Sequence, residues 1–296
     1  MKTLITFFIL FQSLSLLAQD SLSIKEGVFS MSEGNQPGYS VVVPGARLKD
    51  IISDWNKYLR QKTKSKFKKI NGEYVISSAI ISELTTDTVG MFTKIEELSA
   101  GVQLTSFISK GKSLFISTTS DAEVGRKIKF FIRNFAVNAY RNTITDELSS
   151  EQKNLKSIES EIKNLESNND YLEKKTKSKN RSIDRLNDDI KSNLNFQDFK
   201  SKAILQEQQT LATFIDPSEL KTAQQKKLKT LEKEKAKLKK QNEGLNKKVD
   251  QLESEIKSMG NNIDKNNSDK IPEKKTELEK QKVVVSNLEE KLKRVK

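Results

Sequence analysis

Two patterns of apolar residues divide the chain near residue 145. Before that point, short β-branched runs and two stripes at helical spacing alternate; beyond it, one apolar residue recurs every three or four positions through long charged stretches. The first half opens with "SIKEGVFSM" and "YSVVV" on either side of the turn-rich "SEGNQPG", a hairpin-like pair closed by Pro44 and Gly45. Leu48, Ile51, Ile52, Trp55, Tyr58 and Leu59 follow at i, i+3, i+4, i+7 spacing and predict an amphipathic helix. After the tight-turn pair Asn71-Gly72, the segments "EYVISSAIISEL", "TVGMFTKIEEL", "VQLTSFIS" and "SLFIST" read as an antiparallel meander. Ser120 starts a second helix, with Asp121 and Glu123 in its first turn and Val124, Ile128, Phe131, Phe135 and Ala139 on one face. The order ββαββββα gives an α+β head, a small antiparallel sheet backed by two helices, over residues 20–145.

The remainder, 146–296, follows a heptad pattern. With Leu155 at a, the a positions are Leu155, Ile162, Asn169, Thr176, Ile183 and Ile190, and the d positions are Ile158, Leu165, Leu172, Lys179, Leu186 and Asn193. A second register places Leu231, Leu238, Leu245, Leu252 and Met259 at d, with Lys235 and Asn242 as polar a positions. A lone exposed helix would leave this seam in water, so the pattern predicts a long antiparallel α-helical coiled-coil hairpin. Asp216-Pro217-Ser218-Glu219 is a helix start, which puts the reversal near 195–217. Pairing about a midpoint near residue 206 sets the polar band 169–179 beside 235–242. "GNNIDKNNSDKIP" predicts a second turn near 260–272, after which residues 272–296 return as a third helix.

Composition narrows the chemistry. The first 19 residues, "MKTLITFFILFQSLSLLAQ", combine Lys2 with a short apolar core and a small residue, the pattern of a cleaved secretory leader. Cleavage after Ala18 leaves an exported, periplasmic and soluble protein, with no transmembrane segment in the mature chain. With no cysteine and no histidine, the chain lacks disulfides, thiolate sites and the usual neutral-pH general base. No catalytic residue, metal site or cofactor is predicted. The net charge of +13 is spread over both halves. Residues 20–145 hold 18 Lys and Arg against 12 Asp and Glu; residues 146–296 hold 34 against 28 in a mixed, solvated helix pattern.

Four motifs bear on function. "SKGKS", Ser109 to Ser113, ends like a phosphate loop, but position 106 is Ser and a strand follows, so a hairpin turn is predicted. The adjacent carboxylates Glu96-Glu97 and Asp188-Asp189 lack the geometry of an acid–base pair. "RQKTKSKFKKING" carries Lys62, Lys64, Lys66, Lys68 and Lys69. These are either dipole-favoured cations and protective edge lysines, or an anion-binding face for envelope lipid or polysaccharide. Near the reversal, Phe196, Phe199, Leu205, Leu211 and Phe214 concentrate apolar surface, either as a cap on the hairpin or as a partner-binding tip.

The leader ending "LLAQ", the helix "DIISDWNKYLRQK", the lysine-rich entry to "GEYVISSAIIS", the "FFIRNFAV" helix and the heptad tail together resemble a group of exported Gram-negative head-plus-coiled-coil proteins. Some of that group carry a topoisomerase IV name; this chain has no ATP-binding glycine motif, and its leader directs it away from DNA. The expectation is a non-enzymatic envelope scaffold, adaptor or chaperone-like protein, contacting an envelope protein or an anionic envelope surface and able to self-associate through the coil. A carrier of an apolar ligand in the head is the alternative. Nucleic-acid binding is not expected, because it requires the leader reading to fail.

Overall fold

The computed structural model describes residues 22–111, 114–213 and 219–295; the leader, Phe214 and the Asp216-Pro217 helix start lie outside them. The elements are β1 (Lys25–Met31), β2 (Gly34–Pro44), α1 (Leu48–Thr63), β3 (Lys68–Ile70), β4 (Glu73–Ile80), β5 (Thr88–Leu98), β6 (Gly101–Lys110), β7 (Leu114–Phe115) and α2 (Ala122–Ala212). They continue with α3 (Glu219–Lys265), a π-helical turn (Asn266–Lys270) and α4 (Ile271–Arg294). The protein is α+β, a small antiparallel sheet with helices followed by a long helical stretch. It divides into two compact units. One runs to Asn154 and includes the chain from Lys282 onward; the other is Leu155–Gln281. The head is therefore larger than residues 20–145: the last turns of α4 belong to it, and Lys291 Nζ lies 5.5 Å from the Tyr140 ring centroid.

The strands run β1-β2-β6-β5-β4-β3, with β7 beside the far end of β6. Only Ser32 and Glu33 separate β1 from β2, so most of "SEGNQPG" is strand rather than turn. Pro37 lies opposite Val28 of β1, in the part of β2 that precedes its pairing with β6 at Tyr39, so one side of the strand is open there. Gly101 closes the β5–β6 hairpin at φ +145°, where an added Cβ would lie 2.2 Å from the Val43 carbonyl oxygen. At the start of α2, Asp121 rather than Ser120 is the cap: its Oδ1 accepts from the Val124 N–H at 3.1 Å.

One face of the sheet carries Tyr39, Val41, Val43, Val89, Met91, Val102, Leu104 and Ile108 against the buried sides of α1 and the first turns of α2. Trp55 sits in the middle of this layer. Its ring meets Phe135 edge-on at 4.6 Å and stacks on Tyr58 at 5.8 Å, and its Nε1–H donates to Thr93 Oγ1 at 3.1 Å. Tyr58 Oη donates to the Phe131 carbonyl, and Asn142 Nδ2 donates to Asp54, so α1 and α2 run antiparallel across the sheet. The opposite face buries a smaller cluster, Met31, Phe107 and Phe115, with Phe29 and Phe92 at its margin.

Two carboxylates, Glu73 buried and Glu26 half-buried, tie the strands by the same device. Glu73 accepts from the N–H and hydroxyl of Ser32, and Glu26 accepts from the N–H and hydroxyl of Thr118. Lys129 Nζ adds a 2.7 Å ion pair to Glu26. Burial opposes ionisation of Glu26, but Lys129 and the two Thr118 bonds outweigh it and hold the carboxyl below the ordinary glutamate value. A depressed folded-state pKa stabilises the fold above the unfolded value and is lost as pH falls through the folded one. Glu26→Gln is therefore expected to lower the urea midpoint at neutral pH, with the gap to wild type closing below about pH 4.5. A gap that widened on acidification would contradict this.

In the second unit the residues withdrawn from water follow the heptad positions. On α2 they run through Ile158, Ile162, Asn169 and onward at three- and four-residue steps to Glu207. Lys200 pairs with Glu234 and, seven residues on, Glu207 pairs with Lys227, seven residues back. Lys179 pairs with Glu255 and Lys274 with Glu161. The pairing is antiparallel, but about a point near residue 217 rather than 206. Asn242 donates to the Ile190 carbonyl, and Asn169 bonds Asn266 and Asn267 at 2.8 Å each, so the two predicted polar bands do not face one another.

The second turn expected at 260–272 is not formed. The chain stays helical through Lys265, the π-helical turn and α4. The reason lies in the spacing: on the seam, Asn266 is followed by Ile271, five residues on, where the heptad allows four. The π turn, with Ile271 N–H bonded to the Asn266 carbonyl, absorbs that extra residue and keeps Ile271 on the seam. Pro272 follows at once and has no N–H to give, so the helical ladder loses a bond here in any case, and the insertion costs least at this place.

Candidate functional site

The lysine-rich stretch is built on the end of α1. Lys64 takes the left-handed conformation, φ 56°, and its N–H closes the helix on the Arg60 carbonyl at 3.0 Å. Arg60 and Lys62 occupy the last turn, where the helix dipole favours cations. Lys64, Lys66 and Lys68 do not alternate along one strand face, because β3 begins only at Lys68. Lys62 is held by Glu83 and lies 5.7 Å from the Tyr58 ring. Lys69 lies 5.6 Å from the Tyr74 ring, which itself packs on Phe67 at 4.7 Å. Lys64, Lys66, Lys68 and Lys69 are exposed, and β3 is the last strand of the sheet, where lysines protect an open edge.

A second basic element stands beside this one, and the sequence reading missed it. The inner face of α2 (Val124, Ile128, Phe131, Ile132, Phe135) is buried, and the outer face presents Arg126, Lys127, Phe130, Arg133 and Arg141. Phe130 is 63% exposed although both neighbours on its C-terminal side are fully packed. Its signal was available: cations at i−4, i−3 and i+3 around one phenylalanine, with Glu123 the only acidic residue from Ala122 to Arg141. The antiparallel course of α1 and α2 sets this end of α2 beside the lysine-rich end of α1. Outer positions of α1 add Lys57 and Arg60, also exposed.

The predicted tip residues are placed differently from one another, and Phe214 lies outside the described residues. Phe196 is 57% exposed, Phe199 65% and Leu205 56%; Leu211 is half-buried on the seam. The seam of the same stretch is largely polar. Gln197 Nε2 is buried without a partner, Lys200 pairs with Glu234, and Glu207 is buried against Lys227 and Gln224.

Of "SKGKS", Ser109 and Lys110 end β6 and Gly111 follows at φ +66°; Lys112 and Ser113 lie outside the described residues. Tyr39 Oη is buried without a partner; burial first, then the Glu26 and Asp121 carboxylates, push its phenol well above the ordinary value, so it stays neutral. Among the described residues, no group of three acidic side chains is placed to hold a metal ion, and no helix is long and apolar enough to cross a membrane. Comparison with protein-family models, with curated proteins and with solved structures finds no match to this chain.

Proposed function

We propose that the chain is a non-enzymatic adaptor of the cell envelope, exported by its leader, that holds a partner protein on its helical hairpin. The observation that carries this reading is the inverted placement of side chains between residues 193 and 211. A two-helix pair needs only a narrow apolar seam, yet here the seam is mainly Asn193, Gln197, Lys200 and Glu207 while Leu194, Phe196, Phe199 and Leu205 face out. Apolar side chains off the seam add nothing to the hairpin's own packing, and Phe196 and Phe199, neighbours at i and i+3, expose an aromatic patch of the kind that marks an interaction site. The carrier reading is weaker, because Trp55, Phe131, Phe135 and Leu104 fill the layer between sheet and helices.

A photo-crosslinking residue at position 199 is expected to give a discrete adduct in intact envelopes, and one at the exposed position 240 none. Phe196→Ser with Leu205→Ser should abolish the adduct while changing the melting temperature by no more than surface substitutions do, within about 0.5 kcal/mol. A stability loss of several times that figure, with the adduct retained, would show that these residues serve the hairpin itself.

A further inference from the structure

We propose that the outer surface of the head's helical layer docks on an anionic phospholipid membrane surface. The proposal does not rest on the adaptor reading, since its residues belong to the head and the tip residues to the other unit. Three observations carry it. First, the charges are one-sided: α1 from Asn56 to Lys64 has no acidic residue, and α2 from Ala122 to Arg141 has only Glu123, which pairs with Lys127. Lys57, Arg60, Arg126 and Arg133 are exposed on the outer side of these two helices. Second, Phe130 stands among them with 63% of its surface in water. It cannot turn inward, because Ile128, Phe131 and Ile132 already fill the inner face. Third, α1 and α2 lie side by side, so the cations are spread over a broad layer rather than along one ridge.

A broad cationic surface with a single protruding aromatic ring suits a plane of phosphates over an apolar interior. Guanidinium forks engage phosphate oxygens, and the ring enters the headgroup boundary. The other anionic partners fit less well. The DNA major groove admits one helix, not a two-helix layer. Single strands are held by successive stacking platforms, and this face has one ring.

The test is co-sedimentation of the exported full chain with vesicles of phosphatidylglycerol and phosphatidylcholine, beside vesicles of phosphatidylcholine alone. Binding is expected only to the first. The triple variant Lys57→Glu, Arg60→Glu, Arg126→Glu is expected to weaken it about a hundredfold or more. Phe130→Ser, at an exposed ring whose loss leaves the core intact, should weaken it about tenfold, and Phe196→Ser with Phe199→Ser should leave it unchanged. Equal binding of the triple variant and wild type, equal binding to both vesicle types, or loss of binding through the tip variant instead would each overturn the proposal. So would binding of a single-stranded oligonucleotide or of inorganic polyphosphate by a chain that leaves the anionic vesicles in the supernatant.

Discussion

Trp55→Ala is expected to destabilise the head by about 3–5 kcal/mol, a large part of the 5–15 kcal/mol that holds a typical domain together. Trp55 is fully buried and touches elements distant in sequence: Tyr58 on its own helix, Phe131 and Phe135 on α2, and Thr93 on β5. Truncation removes the aromatic contacts and opens a cavity that three rings and a sheet can only partly close. The hydrogen bond is the smaller share, because Thr93 Oγ1 keeps Ser106 Oγ at 3.4 Å. Trp55→Phe should therefore recover more than half of the loss. Urea unfolding followed by circular dichroism gives both values. A loss for Trp55→Ala no larger than that for Phe130→Ser, at an exposed ring on the same layer, would mean that the core is not organised around the indole.

The two helix faces that meet at Trp55 were legible in the sequence because a buried face must repeat at helical spacing: Ile51, Trp55 and Leu59 on α1, and Val124, Ile128, Phe131 and Phe135 on α2. What escaped is where periodicity is silent or misleading. β3 is three exposed residues, Lys68–Ile70, with no alternation to read. Gly260, the asparagines and Pro272 signal a break, and each is a real breaker in isolation; the seam at Asn266, Ile271 and Leu278 outweighs them, and one π turn absorbs the mismatch. The basic side of α2 is hard to read from sequence because the apolar side of the same helix accounts for its periodicity. The tip residues were visible as composition, and their outward orientation follows only from continuing the heptad past Asn193 to Gln197, Lys200 and Glu207.

The register of the helical pair makes crosslinking between its two helices close to all-or-none. The chain has no cysteine, so a pair introduced at 179 and 255 can be joined by a short bismaleimide without background. Lys179 and Glu255 already form an ion pair, and the joined product is expected to be a monomer at low protein concentration. A pair at 172 and 242 should not react. Asn242 bonds the Ile190 carbonyl, and 18 residues of helix, about 27 Å along the axis, separate position 172 from that level. Asn169 is the lock on this register: buried and bonded to both Asn266 and Asn267, it would leave unpaired amides in the seam if the helices slid. Asn169→Leu leaves the buried Asn266 amide without its partner, so it should lower the melting temperature and loosen the register. Crosslinking of 179 to 255 only between chains, rising with concentration, would replace the hairpin by an intermolecular pair. A 172/242 product in the unaltered seam would move the pairing centre back toward residue 206 and remove the seven-residue steps that join Lys200 to Glu234 and Glu207 to Lys227.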